Sequence, residues 1–166
     1  IVVDFDLKSA MRAGLVKSLV LDKRKEIGAL PLEFKAERDE AGNPTLSEGQ
    51  RVMLRAGLKK LRKLEADFAK IDPHRHPKML VVCEDTTVSP LVAQFLRDQE
   101  GLRYEGDVND EILLIDSGKK AELGEKDWAP VRERLFSVDS HATPRVIVSV
   151  LMLREGFDVN NICVIV

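Results

Sequence analysis

Cysteine is scarce: Cys83 and Cys163 are the only two among 166 residues. Two cannot staple a small disulfide scaffold, and they lack zinc-ligand spacing. Both fall in apolar, strand-like runs, so the expectation is two reduced core residues of an intracellular protein, with cytoplasmic localisation. Long hydrophobic runs are missing as well. None approaches the roughly 20 residues needed to cross a bilayer, and nothing near Ile1 has the form of a signal peptide, so no membrane partner is expected. There is no phosphate loop, since Gly118-Lys119 lacks the Gly-x-x-x-x-Gly-Lys-Ser/Thr frame. Histidine is rare too. His74 and His76, two residues apart between prolines, form an incomplete metal site without a third ligand, and His141 has no context for a general base. The chain begins without methionine and stops at Val166 inside an apolar run, so it is expected to be a piece of something larger.

What is present suits a folded domain. A hydrophobic content of 44% with 33% charged residues, over this length, allows one sizeable core. The net charge of −2 hides an asymmetry: residues 1–78 hold 17 Lys+Arg against 12 Asp+Glu, and residues 79–166 hold 9 against 16. A basic segment beside an acidic one is compatible with nucleic-acid contact on one side only.

Ile1 to Leu7 reads as a short strand, followed by a helix-like stretch from Leu7 to Leu15 that Gly14 weakens. Val16–Leu21 and Leu30–Ala36 have strand character, and Glu37–Pro44 is a polar turn. Asp39-Glu-Ala-Gly42 imitates the acidic magnesium box of nucleotide-hydrolysing motors, but no buried strand leads into it. The clearest helix is Leu46–Ile71. Ser47 and Gln50 have capping-box spacing, and Leu54, Leu58, Leu61, Leu64, Phe68 and Ile71 make one apolar stripe. Arg55, Lys59, Arg62, Lys63 and Lys70 flank that stripe, either as a phosphate-tracking face or as the solvated side of an amphipathic helix. Asp72-Pro73 ends the helix.

From Lys78 onward, strands and helices alternate. Met79–Cys83 is a buried strand, Glu84–Thr87 a loop, and Val88–Gln99 a helix with Val88, Leu91, Val92, Phe95 and Leu96 on one face. Glu111–Ile115 is the next strand, and Lys126–Val138 a helix carrying Trp128, Val131, Leu135 and Phe136. Arg145–Val150 reads as a strand buried on both faces. A short helical turn, Gly156 and the turn at Asp158-Val-Asn-Asn161 then lead to a second apolar run, Ile162–Val166. These last two read as neighbouring buried strands at one edge of a parallel sheet. The pattern predicts an α/β fold with a mainly parallel sheet and right-handed crossovers. Two loops could offer phosphate contacts: Glu84–Ser89, with Thr86, Thr87 and the first amides of a helix, and Asp116–Lys120, with Ser117, Gly118 and Lys119. Each could equally be an ordinary capped loop, and Arg154, Glu155 and Asp158 could be a charged surface connection with Gly156 as a C-cap.

Arg154-Glu-Gly-Phe-Asp-Val159, followed by an apolar strand, resembles motif V of superfamily 2 helicases, and more narrowly the Res (restriction) subunit of type III restriction-modification enzymes. Asp4-Phe-Asp-Leu-Lys8 and Gly14-Leu-Val-Lys17 resemble the same family, where such a segment leads from the first motor lobe to the second. The resemblance implies that residues 79–166 are a second RecA-like lobe of P-loop NTPase type, with the strand from Met79 at motif IV. Residues 1–78 would be a linker or insertion region with the helix at 46–71. It further implies that Gly156 and Asp158 contact ATP, and that Ser149, where the family usually has threonine, touches the DNA backbone. Thr86, Thr87, Ser117, Gly118 and Lys119 would lie on the DNA side.

The parent protein implied is an ATP-dependent, DNA-translocating endonuclease. Its ATP and Mg2+ would be bound largely by a first RecA-like lobe of the same chain, with the Mg2+ ligands outside this fragment. Its partners would be double-stranded DNA and a modification (methyltransferase) subunit. The acidic box, the arginine-bearing motif VI and the nuclease domain are absent here, with motif VI expected shortly beyond Val166, so no catalytic residue is assigned and the fragment alone is expected to be inert. Two other readings stay open: a non-catalytic DNA- or protein-binding α/β module, and a flavodoxin-like small-ligand domain.

Overall fold

The computed structural model describes residues 6–14, 20, 33–107, 109–115, 129–150 and 159–166. The chain divides into two compact units, residues 1–31 and 32–166. In the first, α1 (Leu7–Arg12) is capped by Asp6, whose carboxylate accepts the Ser9 N–H at 2.6 Å. The turn that ends this helix places Gly14 at a φ of 72°, a conformation glycine adopts without cost.

The second unit opens with a small hairpin in which β1 (Glu37–Arg38) pairs antiparallel with β2 (Pro44–Thr45). Asp39 closes its turn by accepting the backbone and side-chain N–H groups of Asn43, each at 2.8 Å. The acidic look-alike at Asp39–Gly42 is therefore a turn. Of the strand expected at Leu30–Ala36, residues 33–36 are irregular and Phe34 is exposed; Val20, from the strand expected at Val16–Leu21, is irregular and exposed too. The other residues of those two stretches, and residues 1–5, lie outside the described set.

Helix α2 (Glu48–Ile71) starts as its sequence dictates. Ser47 Oγ accepts the Gln50 N–H, and Gln50 Oε1 accepts the Ser47 N–H at 3.1 Å, so two of the helix's orphan donors are satisfied reciprocally. Leu54, Leu58 and Leu61 are buried, but the stripe fades along the helix. Leu64 and Phe68 are half-buried, and Ile71 is 85% exposed because the helix outruns the sheet it packs on. Gly57 allows the close approach, since a Cβ there would meet Val166 Cγ2 at 2.5 Å and Met79 Sδ at 3.0 Å.

Among the described residues four parallel strands form the sheet: β3 (Lys78–Val82), β4 (Ile112–Ile115), β5 (Val146–Ser149) and β6 (Ile162–Ile165), in the order β4-β5-β3-β6. Side chains alternate between the two faces. Met79, Val81, Ile112, Leu114, Val146, Val148 and Val164 share a core with α2 and with α3 (Ser89–Asp98). Ile115 and Ile147 share the opposite core with Leu135, from helix α4 (residues 129–136), and with Val138. This is the expected α/β fold, a parallel sheet between helices, consistent with a RecA-like lobe.

Several details differ from expectation. β5 and β6 are not neighbours, because β3 lies between them. β5 is buried on both faces, but β6 stands at the edge of the sheet among the described residues, and its only buried residue is Val164, on the α2 side. Cys163 is accordingly exposed and Ile165 is 63% exposed, so only Cys83 behaves as a core cysteine. Val82, at the end of β3, and Phe136, on α4, are also largely exposed. Trp128 lies outside the described residues.

Candidate functional site

A parallel sheet brings the carboxyl ends of its strands to one edge, and loops leaving that edge are where α/β proteins hold ligands. Val82, Ser149 and Ile115 stand in register there, and the Cys83 N–H donates to the Ser149 carbonyl at 2.8 Å. Beyond β3 the chain enters Glu84–Thr87 and then α3.

Asp85 organises this turn. Its Oδ1 accepts the Thr87 hydroxyl at 2.6 Å, the Thr87 N–H at 2.8 Å and the Val88 N–H at 3.1 Å, and its Oδ2 pairs with Arg38 of the hairpin at 2.5 Å. The Thr87 hydrogen bonds hold the Asp85 carboxyl below the usual carboxylate range. Glu84 ties the turn to two other elements by accepting the Ala36 N–H at 2.6 Å and Gln50 Nε2 at 2.9 Å. Gln50 thus caps α2 with one end of its amide and fastens β3 with the other.

The two threonines named from sequence therefore differ. Thr87 is exposed, and its hydroxyl donates to Asp85. Thr86 is half-buried, and its carbonyl accepts the Ser89 hydroxyl at 3.5 Å. The first amides of α3, expected to be free, are partly engaged: Val88 and Ser89 N–H reach the Asp85 carbonyl at 3.3 Å, and Pro90 has no N–H. Glu84 and Asp85 add negative charge that a phosphate would have to overcome.

Ser149 ends β5 at 1% exposure, on the same face as Ile147, and its Oγ has no hydrogen-bond partner among the described residues. A buried hydroxyl left without a partner costs about 1–3 kcal/mol, so it is an exception that calls for a reason. Asp110 Oδ1 is also without a hydrogen bond, but Arg103 stands 3.8 Å away to offset its charge. Gly156, Asp158, Ser117, Gly118 and Lys119 lie outside the described residues.

Beside this edge, Phe34, Gln50, Met53, Val82, Glu84 and Val166 line an apolar cleft of about 80 Å³. Pockets that enclose drug-sized ligands run to roughly 300–1,000 Å³, so this one is too small for a nucleotide or a flavin. No group of three or more His, Cys, Asp or Glu among the described residues could hold a metal ion, and no described helix is long and apolar enough to cross a membrane.

The opposite, amino-terminal end carries a network that sequence reasoning missed. Lys78, fully buried, donates through Nζ to the carbonyls of His141 at 2.5 Å and Ala142 at 3.2 Å. Burial pushes its pKa down from 10.5 to about 8, and the Arg134 guanidinium adds to the shift. Arg145 grips Glu65 of α2 through two contacts of 2.7 Å and Glu111 through a third, and these carboxylates hold its charge firmly in place. Asp139 accepts the N–H groups of Asn160 and Asn161 just before β6. The one local signal was a lysine directly preceding an apolar strand. Its partners lie more than sixty residues away.

Comparison with known proteins adds no relative: no family model, curated protein or solved structure matches the chain.

Proposed function

We propose that the chain is the second RecA-like lobe of an ATP-driven translocase of duplex DNA, of the kind found in type III restriction endonucleases. The observation that carries this reading is Ser149. It is a buried hydroxyl without a partner among the described residues, at the carboxyl end of a central parallel strand and five residues before Arg154-Glu-Gly-Phe-Asp-Val159. That is the order in which the resembled motor places a polar backbone-contacting residue before its nucleotide motif.

In this reading Gly156 and Asp158 face the nucleotide, with Gly156 keeping side-chain bulk away. Thr86, Thr87, Ser117, Gly118 and Lys119 lie along the DNA side, where contacts position the duplex without reading its sequence, and Ser149, buried in this structure, would meet the backbone only on rearrangement of this edge. ATP is held mainly by a first lobe, which also supplies the Mg2+ ligands, and a methyltransferase subunit provides site recognition. This chain's own task is to change its grip on the first lobe as the nucleotide is spent, so it hydrolyses nothing alone.

The test uses the protein that carries this chain in its natural reading frame, assayed for ATP affinity and DNA-stimulated ATP hydrolysis. Asp158→Ala removes one charge-assisted hydrogen bond, worth about 1.5–3 kcal/mol, so ATP affinity should fall roughly 10–150-fold. Unchanged affinity with a lowered melting temperature would make Asp158 a turn cap only. A protein without DNA-stimulated ATPase activity would refute the motor reading.

A further inference from the structure

The outer side of α2 concentrates positive charge in a chain that is otherwise acidic. Between positions 51 and 63 stand six cations (Arg51, Arg55, Lys59, Lys60, Arg62 and Lys63) and no acid. The rest of the chain then holds 20 Lys+Arg against 28 Asp+Glu, a balance of −8 beside this helix's +6. At about 100° per residue the six fan over roughly half the helix circumference: Arg51 and Arg62 border Leu54, Leu58 and Leu61, which pack on the sheet, and Lys59, Lys60 and Lys63 lie opposite them.

The cations are not spent alike. Arg51 reaches the Leu46 carbonyl at 2.7 Å and Glu48 at 3.4 Å. Arg55 pairs with Glu100 at 2.9 Å and lies over the Phe95 ring, 5.2 Å from its centroid. Arg62 has one long contact, 3.4 Å to the Glu100 carbonyl. Lys59, Lys60 and Lys63 are exposed and make no hydrogen bond or ion pair among the described residues. The nearby acids are taken, Glu65 by Arg145 and Asp67 by Lys70.

The three lysines add no such contact to the described fold. Like charges three or four positions apart, as at 55–59, 59–62, 59–63 and 60–63, destabilise a helix by about 0.2–0.5 kcal/mol per pair. Glutamine would solvate the same face without that cost. A polyanion reverses the sign, since each phosphate met by a lysine releases condensed counterions.

We propose that the Lys59–Lys63 face of α2 is a docking surface for the phosphate backbone of duplex DNA. Membrane-surface helices turn large apolar residues toward the lipid between their basic ones. Here Leu54, Leu58 and Leu61 are committed to the core, and the segment Lys59–Lys63 exposes no apolar side chain of its own, so an anionic bilayer would find charge and no anchor there. Contact to phosphates alone fixes position without reading bases. The choice of duplex DNA rests on the motor reading above, but the measurement needs no ATP, so each can fail without the other.

The test is fluorescence anisotropy of the 166-residue chain with short labelled DNA duplexes of unrelated sequence, between about 50 and 200 mM salt. The wild type should bind all duplexes alike. The triple variant Lys59→Glu, Lys60→Glu, Lys63→Glu should lose at least about tenfold in affinity, and the slope of log affinity against log salt should shrink by about 2–3. Lys35→Glu, Arg75→Glu, Arg132→Glu carries the same charge change on other exposed cations and should bind much more nearly like wild type. Circular dichroism and melting temperature confirm that both variants are folded. The proposal is overturned if wild type does not bind at low salt, or if both triples weaken binding equally. It is overturned too if vesicles of equal parts phosphatidylserine and phosphatidylcholine bind the same face as tightly as the duplexes do.

Discussion

Replacing Lys78 by methionine tests the most unusual group in the fold. The side chain is buried, and its pKa falls from 10.5 to about 8. Because the folded value lies below the unfolded one, between pH 8 and 10.5 the unfolded chain holds a proton that the folded chain has released. Stability from this group therefore rises with pH across that window and is flat on either side. Each pH unit is worth about 1.4 kcal/mol, so the full climb is about 3 kcal/mol. The methionine side chain would fill a similar volume without titrating, but it would leave the His141 and Ala142 carbonyls without their donor. That loss costs about 1–3 kcal/mol where the wild-type amine is neutral. Near pH 7.5 the wild type also carries the cost of a buried charge, so there the difference should be close to zero or reversed. Urea unfolding of both proteins at intervals from about pH 7.5 to 10 reads it directly. Wild type minus Lys78→Met should grow by about 2–3 kcal/mol over that range. Parallel stability curves would refute the reasoning and mean that Lys78 keeps an ordinary pKa.

Leu58→Ala should cost about 2–5 kcal/mol in chemical unfolding, because the leucine is fully buried against the sheet. Phe68→Ala, further along the helix and outside both cores, should cost only about 1 kcal/mol; equal losses would mean that the far end of α2 is covered by something. Ser149→Ala should leave the melting temperature of the isolated chain unchanged or raise it, since it removes a buried hydroxyl that lacks a partner among the described residues, and a loss above about 1 kcal/mol would show that the hydroxyl is bonded within the fold.

What could be read from sequence was what neighbouring residues decide. The Ser47–Gln50 box is a local device, and it formed at the expected residues. β3, β4 and β5 are apolar runs between helical stretches, and a parallel α/β sheet follows from that alternation. Strand order is another matter. β5 and β6 follow one another in the chain, yet whether they pair depends on β3, more than sixty residues earlier. An edge strand can be as apolar as a central one, so Cys163 and Ile165 looked like core residues. The amino-end network was invisible for the same reason. Arg145 meets Glu65 across 80 positions, and Lys78 meets His141 across 63. At the carboxyl edge the signal was local but overlooked, since an aspartate two residues before Thr87 favours the Asx-turn that engages it.

The sheet is fastened at one end and bears its connecting loops at the other, and α2 links the two. Its first turn lies at the carboxyl edge, where Gln50 holds Glu84, and its later turns lie at the amino end, where Glu65 holds Arg145. The helix thus runs against the strands. Lys60 is ten residues along from Gln50, about 15 Å at 1.5 Å per residue. On the proposed readings, contacts at Thr86, Thr87 and Ser149 and contacts at Lys59–Lys63 would therefore fall on separate stretches of a bound duplex. A substitution at one end should leave the other end's contacts in place, and affinities lost at the two should add. Less than additive loss on combining Ser149→Ala with the lysine triple would mean that a single phosphate contact region had been divided in error.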